Sequence, residues 1–159
     1  MNYCKLINKG GHVIRITTKG RYALRAMLDL TVHQGINSPV TREDIARRQG
    51  LPATYLAQLF AALTKAGLVE SVRGPGGGYL LRRPAEQITV GEVIRAVEGP
   101  VIPVRCVVDR SCVRASRCSL RELYRGLGRV IEQYLDAVPL SQLSIEQCQG
   151  EARPSEYES

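Results

Sequence analysis

Leu68-Val-Glu-Ser-Val72, Arg73-Gly-Pro-Gly-Gly-Gly78 and Tyr79-Leu-Leu81 follow one another without interruption. Two apolar, β-prone runs around a segment of four glycines and one proline predict a strand, a tight turn and a return strand. Glycine reaches positive φ freely and lets the backbone pass close to a phosphate or a groove wall. The preceding residues decide what this hairpin belongs to. Thr41-Arg-Glu-Asp44 starts like a capping box and opens a short helix through Arg48, with Ile45 and Ala46 facing inward. Gln49-Gly-Leu-Pro52 is a tight turn, with Pro52 near the first helical position of a second helix. That helix runs to Lys65, with Tyr55, Leu56, Leu59, Phe60 and Leu63 apolar and Gly67 at its end. Two helices joined by a glycine-containing turn are a weak signal for a helix-turn-helix, because antiparallel helix pairs are common. Followed directly by strand, glycine-rich turn and strand, they have the layout of a winged helix, whose second helix enters a DNA major groove. Arg73, at the base of the turn, is placed to enter a minor groove, where the negative potential favours Arg. A nucleotide-phosphate loop is the competing reading of the glycine run. It fails because the run does not sit between a strand and a helix, and no Lys-Ser/Thr follows.

Outward from this unit, Thr18 to about Gln34 reads as a helix. Tyr22, Leu24, Met27, Leu28, Leu30 and Thr31 recur at three- and four-residue spacings, and Gly35 stops it. Asn37-Ser-Pro39 is a turn, and Thr89-Val-Gly-Glu92 is a second capping-box pattern opening a helix packed through Val90, Val93, Ile94 and Val97. The formal charge is +7, unevenly spread: residues 1–100 hold 14 Lys/Arg against 7 Asp/Glu, and residues 101–159 hold 8 against 8. A basic head predicts an anionic partner, with nucleic acid the commonest, against the plainer reading of a solvated basic face. One Phe and no Trp argue against a base-stacking platform for single strands. No apolar run has the length of a membrane span and the start does not resemble a signal peptide, so a cytoplasmic protein with reduced cysteines is expected. An odd count of five cysteines fits a disulfide framework poorly. With two histidines, His12 near the start and His33 at a helix end, no Ser/His/Asp or Cys/His constellation can be drawn, and the chain is not expected to be an enzyme.

Beyond the head, Cys106, Cys112 and Cys118 are each separated from the next by five residues in a segment introduced by Gly99-Pro100 and Pro103. The punctuation predicts a loop. A loop can fold three thiolates toward one point, and thiolates are the soft ligands that iron–sulfur clusters and zinc select; the plain alternative is a surface loop with incidental thiols. Arg105, Arg110, Arg114, Arg117, Arg121, Arg125 and Arg129 surround it. Cations there would stabilise the net negative charge of a thiolate-bound cluster, although a solvated face explains some of them. From Ser119, Leu120, Leu123, Tyr124, Leu127, Val130, Ile131, Tyr134, Leu135 and Val138 make an apolar stripe over about five turns. Pairing across a twofold axis would bury a few hundred Å², worth several kcal/mol at ~25 cal/mol per Å²; docking onto its own head is the alternative. Residues 1–13 lack a usable period. Lys9-Gly-Gly-His-Val13 can be encoded by codons that contain a ribosome-binding site ahead of a GTG start, so residues 1–13 are expected to be a mis-called or disordered extension. The expected organisation is a winged-helix head over 14–99, a cluster-binding loop over 100–118, a dimerisation helix and its tail over 119–147, and a disordered tail over 148–159 that includes Cys148. The fold class is mainly α with a small β-wing, a winged helix-turn-helix head plus a long C-terminal dimerisation helix.

Taken together, Thr18-Lys-Gly-Arg-Tyr-Ala-Leu-Arg-Ala-Met-Leu-Asp-Leu30, Tyr55-Leu-Ala-Gln-Leu-Phe60, Gly67 through Leu81, Ile88-Thr-Val-Gly-Glu-Val-Ile94 and the three spaced cysteines resemble the IscR-type family of bacterial winged-helix regulators, over roughly Ile16 to Leu143. The resemblance implies a homodimer on near-palindromic operators of double-stranded DNA, with one iron–sulfur cluster per subunit. It also implies control, usually repression, of iron–sulfur assembly genes. Carried over by position, Thr54, Ala57 and Gln58 face base edges, Arg73 with Gly74, Gly76 and Gly77 reaches the minor groove, and Cys106, Cys112 and Cys118 hold the cluster, with 2Fe–2S favoured over 4Fe–4S. Two departures stand out. Where the family pattern has a ligating His, three residues after the last cysteine, this chain has Arg121, which stays protonated and cannot bind iron. The fourth ligand is then Asp109, Glu122, a residue of the partner subunit, an exogenous thiol or water, or Cys4. The acidic residue usual on the recognition helix is replaced by Ala57, which can touch a thymine methyl but cannot accept from cytosine. Rival readings are a nitric-oxide or redox sensor of the same fold with a 4Fe–4S cluster, a regulator of cysteine metabolism, and, from a different class, a zinc-binding interaction module.

Overall fold

Thr17 caps the first helix, α1 (Thr18–His33): its hydroxyl accepts from the Lys19 amide at 3.1 Å and the Gly20 amide at 3.5 Å. Two of the amides that a helix start leaves without partners are thereby satisfied. The computed structural model describes residues 16–35, 38–101, 103 and 118–144; the 1–13 extension, Cys106, Asp109, Cys112 and the 148–159 tail lie outside the described residues. After the turn at Ser38 and Pro39 comes α2 (Arg42–Gln49), whose cap Thr41 accepts from the Asp44 amide at 3.1 Å and donates to the Asp44 carboxylate at 2.7 Å. Gly50 ends it at φ 62°, in the left-handed region that glycine occupies without strain. Pro52 is the N-cap of α3 (Ala53–Lys65), one position earlier than a first-turn proline. The hairpin follows as β1 (Val69–Val72) and β2 (Gly78–Leu81), antiparallel, with Val69 opposite Leu81 and Val72 opposite Gly78.

The core lies between the helices of this head. Ala23, Met27 and Leu30 of α1, Ile45 of α2 and Leu56, Leu59, Phe60 and Leu63 of α3 are fully buried in one cluster with Ile88 and Val93. Tyr79 stacks on Phe60 with centroids 4.0 Å apart and rings 10° from parallel, which seats the hairpin on α3. Val40 exchanges two backbone hydrogen bonds with Tyr79 (3.0 and 2.9 Å), which ties the hairpin also to the entry of α2. This close approach requires glycine at 78, because a Cβ there would lie 2.3 Å from the Val40 carbonyl oxygen.

A single-turn 3₁₀ helix at Ala85–Gln87 leads to α4 (Val90–Glu98). Its capping box is complete: the Glu92 amide donates to Thr89 Oγ1 at 3.2 Å and the Thr89 amide donates to Glu92 Oε2 at 3.0 Å. α5 (Leu120–Asp136) then splits the apolar stripe read from the sequence into two. Ile131, Leu135 and Val138 pack against Val90 and Ile94 of α4, and Gly128 approaches Pro103. Leu120, Leu123, Leu127, Val130 and Tyr134, spaced three, four, three and four residues apart, stay exposed. The C-terminal end of α5 is knitted to the head. Arg95 donates twice to the Asp136 carboxylate (3.1 and 2.6 Å), the Val90 amide donates to the Val138 carbonyl, and the Leu140 amide donates to the Ile88 carbonyl, each at 2.9 Å. A helical turn over 140–144 puts Leu140, fully buried, into the head's own core. The expected separation of head and 119–147 rod is therefore incomplete. One stripe of the helix docks on its own subunit, and the other has no cover within it. Among the described residues no helix is long and apolar enough to cross a membrane.

Candidate DNA-reading surface and cluster loop

Burial of one side of α3 leaves the other side to solvent. Leu56, Leu59, Phe60 and Leu63 face the core, while Thr54, Gln58, Ala61, Thr64 and Lys65 are exposed and Ala57 is half-buried at the edge. At about 100° per residue, positions 54, 58, 61 and 65 fall within a ~60° arc, so they form one face. Of the residues expected to face base edges, Thr54 and Gln58 lie on that face and Ala57 beside it. Ala61 and Lys65 complete it; the sequence reading passed over both, although they follow from Thr54 by the helical period.

The wing is exposed from Glu70 to Gly76. Gly74 and Gly76 have φ of 105° and 76°, where side chains are strained, and the Gly77 amide closes the turn on the Gly74 carbonyl at 2.9 Å. Gly77 is needed for a different reason: a Cβ would lie 2.3 Å from the Val72 carbonyl oxygen and 2.9 Å from that of Gly74. Arg73 is exposed at the base of the tip. No ion pair among the described residues engages Arg73 or Lys65, whereas Arg42, Arg47 and Arg48 are paired with Glu43, Asp44 and Asp29. Lys65 on the exposed face of α3 and Arg73 on the wing thus present exposed cations outside any of these ion pairs.

The turn that presents α3 is fixed by a network absent from the sequence reading. Asp29 of α1 is 1 % exposed, the one buried charged residue among those described. Arg48 grips its carboxylate through Nε (3.1 and 3.0 Å) and Nη2 (2.5 Å), and Gln49 Nε2 adds a bond of 2.9 Å. Arg25 then donates to the Gln49 side-chain and backbone oxygens at 3.1 and 2.5 Å. The Asp29 carboxylate raises the Arg48 pKa further above its ordinary value. A lone acid within the apolar side of α1 was the available signal, because a buried carboxylate requires a partner.

Of the 100–118 segment the described residues are its two ends. Before it, Glu98 Oε1 accepts from the Thr17 amide at 3.1 Å and the Thr17 hydroxyl at 2.8 Å, so the last residue of α4 also holds the start of α1. Gly99, at φ 86°, then turns the chain away. After it, Cys118 is a half-buried free thiol immediately before α5, and its carbonyl accepts from the Arg121 amide at 3.2 Å. Glu122 is exposed and paired with Arg125 at 2.5 Å, so as a metal ligand it would have to give up that partner. Cys106, Cys112 and Asp109 lie outside the described residues.

A family model described as an iron-dependent transcriptional regulator, Rrf2, matches residues 16–146. The chain is 47% identical over 130 residues to the HTH-type transcriptional regulator IscR of Yersinia pseudotuberculosis, covering 82% of this chain and 79% of that one. It is equally similar to the protein of the same name from Sodalis glossinidius, covering 82% and 78%. Among solved structures, CymR, the global cysteine regulator of B. subtilis, superposes with a TM-score of 0.69 at 36% identity, covering 84% of this chain and 98% of that one. IscR of T. potens superposes at 0.68 with 36% identity, covering 90% and 94%. Both superpose over most of this chain, and the family model spans the sequence from α1 to beyond α5. The chain belongs to the Rrf2 family of transcriptional regulators.

Proposed function

We propose that the protein is a cytoplasmic, homodimeric repressor of iron–sulfur assembly genes whose grip on a near-palindromic operator depends on an iron–sulfur cluster. The observation that carries the DNA-reading part is the exposed face of α3, Thr54, Gln58, Ala61 and Lys65, on a helix whose opposite face is fully buried and whose neighbour is an exposed wing. Thr54, Ala57 and Gln58 lie toward base edges in the major groove, and Arg73 with Gly74, Gly76 and Gly77 lies toward the minor groove. The exposed stripe from Leu120 to Tyr134 follows the three–four spacing of a helix that packs on a second helix, and a second copy of α5 supplies the cover.

The donor set suits an iron–sulfur cluster. Three cysteines are available in the segment, and Cys118, the described member, is a half-buried free thiol. Cys106, Cys112 and Cys118 would hold the cluster, which supplies a redox- and iron-responsive centre when bound. The fourth position is left to an external thiol or water, or to a residue of the partner subunit, since Arg121 cannot ligate and Glu122 is engaged by Arg125. The chain's own contribution is mechanical. The start of the loop reports to α4 through Glu98, which also holds the cap of α1, and the helix that follows the loop, α5, is held to α4 at its far end by Arg95 and Asp136. Because α4 packs on α1 and α3, a change in the loop reaches α3 through α4.

Anaerobic purification with absorption and Mössbauer spectra tests the cluster and separates the 2Fe–2S form from the 4Fe–4S form of a nitric-oxide sensor. Iron-free protein from that preparation would sink it. Fluorescence anisotropy on a palindromic duplex tests the reader: binding that weakens steeply with salt is expected, and Arg73→Ala should cost about 1–3 kcal/mol. The superposition on CymR favours a second reading, a regulator of cysteine metabolism. Normal regulation after Cys106, Cys112 and Cys118 are all changed to Ser would select it.

A further inference from the structure

The chemistry of the exposed α3 face goes further than DNA binding, and we infer that each subunit reads an A·T core in its half-site, with Gln58 on adenine and Ala61, with Ala57 beside it, on thymine methyls. The inference rests on α3 being the major-groove helix, as proposed above. Four exposed side chains fall within that arc, and their chemistry is narrow: one hydroxyl (Thr54), one carboxamide (Gln58), one methyl (Ala61) and one ammonium (Lys65), with the methyl of Ala57 and the exposed hydroxyl of Thr64 at the edge. A carboxylate, the group that accepts from cytosine N4, is missing from this set, and so is a guanidinium, which would pair with guanine O6 and N7. Lys65 does not replace the guanidinium. It lies eleven residues beyond Thr54, about 16 Å along the axis at ~1.5 Å per residue, where a helix entering the groove by its N-terminal end has reached the backbone. Carboxamide is the one group here that donates and accepts side by side, and it matches adenine N7 and N6.

The methyls give the second half. Ala61, three residues after Gln58, adjoins the amide, and Ala57, four residues before Ala61, adjoins that methyl on the side away from Gln58. Neither can hydrogen-bond a base, and each is short enough to let the helix approach. Against the groove floor they meet the C5-methyl of thymine favourably and leave the exposed amino group of cytosine without an acceptor. Thr54 is tolerant of either pair type and does not contradict this preference.

Selection of bound duplexes from a randomised double-stranded library by the full-length protein tests the inference. The expected result is an invariant A·T pair in each half-site flanked by thymine. In anisotropy titrations against the selected duplex, replacing that adenine by guanine should weaken wild type by about 5- to 100-fold, and Gln58→Ala should bind both duplexes alike. Replacing the flanking thymines by deoxyuridine should cost about three- to fourfold per methyl, with no effect on overall fold. Ala57→Glu should move the selected base next to the adenine toward cytosine. Selection of guanine or cytosine at the core, or a Gln58→Ala variant that keeps full discrimination, would overturn the inference while leaving DNA binding intact. Wild type that enriches no duplex, or binds none, defeats the DNA-reading proposal and this inference with it.

Discussion

The recognition end of the head and the long helix α5 are both amphipathic helical structures, yet they solve burial differently. α3 has one apolar side, and its own subunit covers it: Leu56, Leu59, Phe60 and Leu63 are sealed by α1, α2 and the hairpin. α5 has two apolar stripes, and its subunit covers one. Ile131, Leu135 and Val138 dock on α4, while Val130 and Tyr134 on the other side are 61% and 69% exposed. On the reading proposed above, the polar face of α3 is left for a polar, charged partner. On the same reading, the apolar face of α5 is left for a second copy to cover. A helix complete within its subunit then serves as a tool for another kind of molecule, and an incomplete one as a joint to another copy.

The largest expected effect breaks the joint and leaves the tool. Leu123→Asp with Val130→Glu should place charge in the exposed stripe, convert the protein to monomer in sedimentation velocity and weaken binding to a two-half-site duplex on the order of 100-fold or more, the loss that accompanies removal of a linked second contact. Circular dichroism should be unchanged, since neither side chain packs on the head. A variant that remains dimeric would mean that the exposed stripe is not the joint.

Next in size is a break within the tool. Arg48→Ala leaves the Asp29 carboxylate, whose side chain is fully buried, with Gln49 and the His33 ring 3.6 Å away, and without its guanidinium. Loss of one partner of a fully buried pair costs about 3–5 kcal/mol. Arg48 is itself 30% exposed, so the expected loss is smaller, about 2–3 kcal/mol by urea unfolding. Asp29→Asn with Arg48→Met removes both charges and should recover most of it. Equal destabilisation by the single and double variants would show that the carboxylate does not depend on its guanidinium.

A finer cut acts on the wing. Gly77→Ala must move backbone, because both atoms that its Cβ would meet most closely are carbonyl oxygens of the turn. Operator affinity should fall at least as far as for Arg73→Ala, about 1–3 kcal/mol by anisotropy, with the melting temperature held within a few degrees because the tip is exposed and outside the core. An unchanged affinity would remove the wing from the DNA-reading surface.

The contrast between the two regions also explains what could be read in advance. The head's elements announce themselves locally, through Thr41 and Thr89 as caps, Gly50 and Gly67 as stops, and the glycine-rich turn, so their order and bounds follow from neighbouring residues. α5 was readable as a helix but not as two stripes, because Tyr124 and Ile131 add to one hydrophobic side exactly where periodicity alone cannot say which neighbour each residue meets. Leu140 joining the head core depends on a chain return through Val138 and Pro139 that leaves no local mark. Thr54 and Gln58 were legible through resemblance to a family pattern, and Ala61 was not, since alanine carries no signal until the opposite face is known to be buried. The Asp29 network pairs residues nineteen and twenty positions apart, a distance at which charge complementarity cannot be read from spacing.

The smallest predicted effect concerns α4, the element on which both regions lean. Burial raises the Glu92 pKa, but the Thr89 amide and the Arg83 guanidinium together outweigh it and hold the carboxyl below its ordinary value. A folded-state pKa below the unfolded one, about 4.3, means that the ionised form favours folding. The contribution is present at neutral pH and is lost as pH falls through the folded value. Glu92→Gln keeps the capping hydrogen bond from the Thr89 amide and removes only the charge. It should therefore lower stability at pH 7 by no more than about 1 kcal/mol, the side chain being a third exposed and screened, and the gap to wild type should close as both are titrated toward pH 3. A gap that widens with acidity would reverse the sign and place the charge, not the cap, at fault in holding α4. If the gap closes, the start of α4 owes stability to the Glu92 charge as well as to the cap, while its last turn, through Arg95 and Asp136, holds α5 to the head.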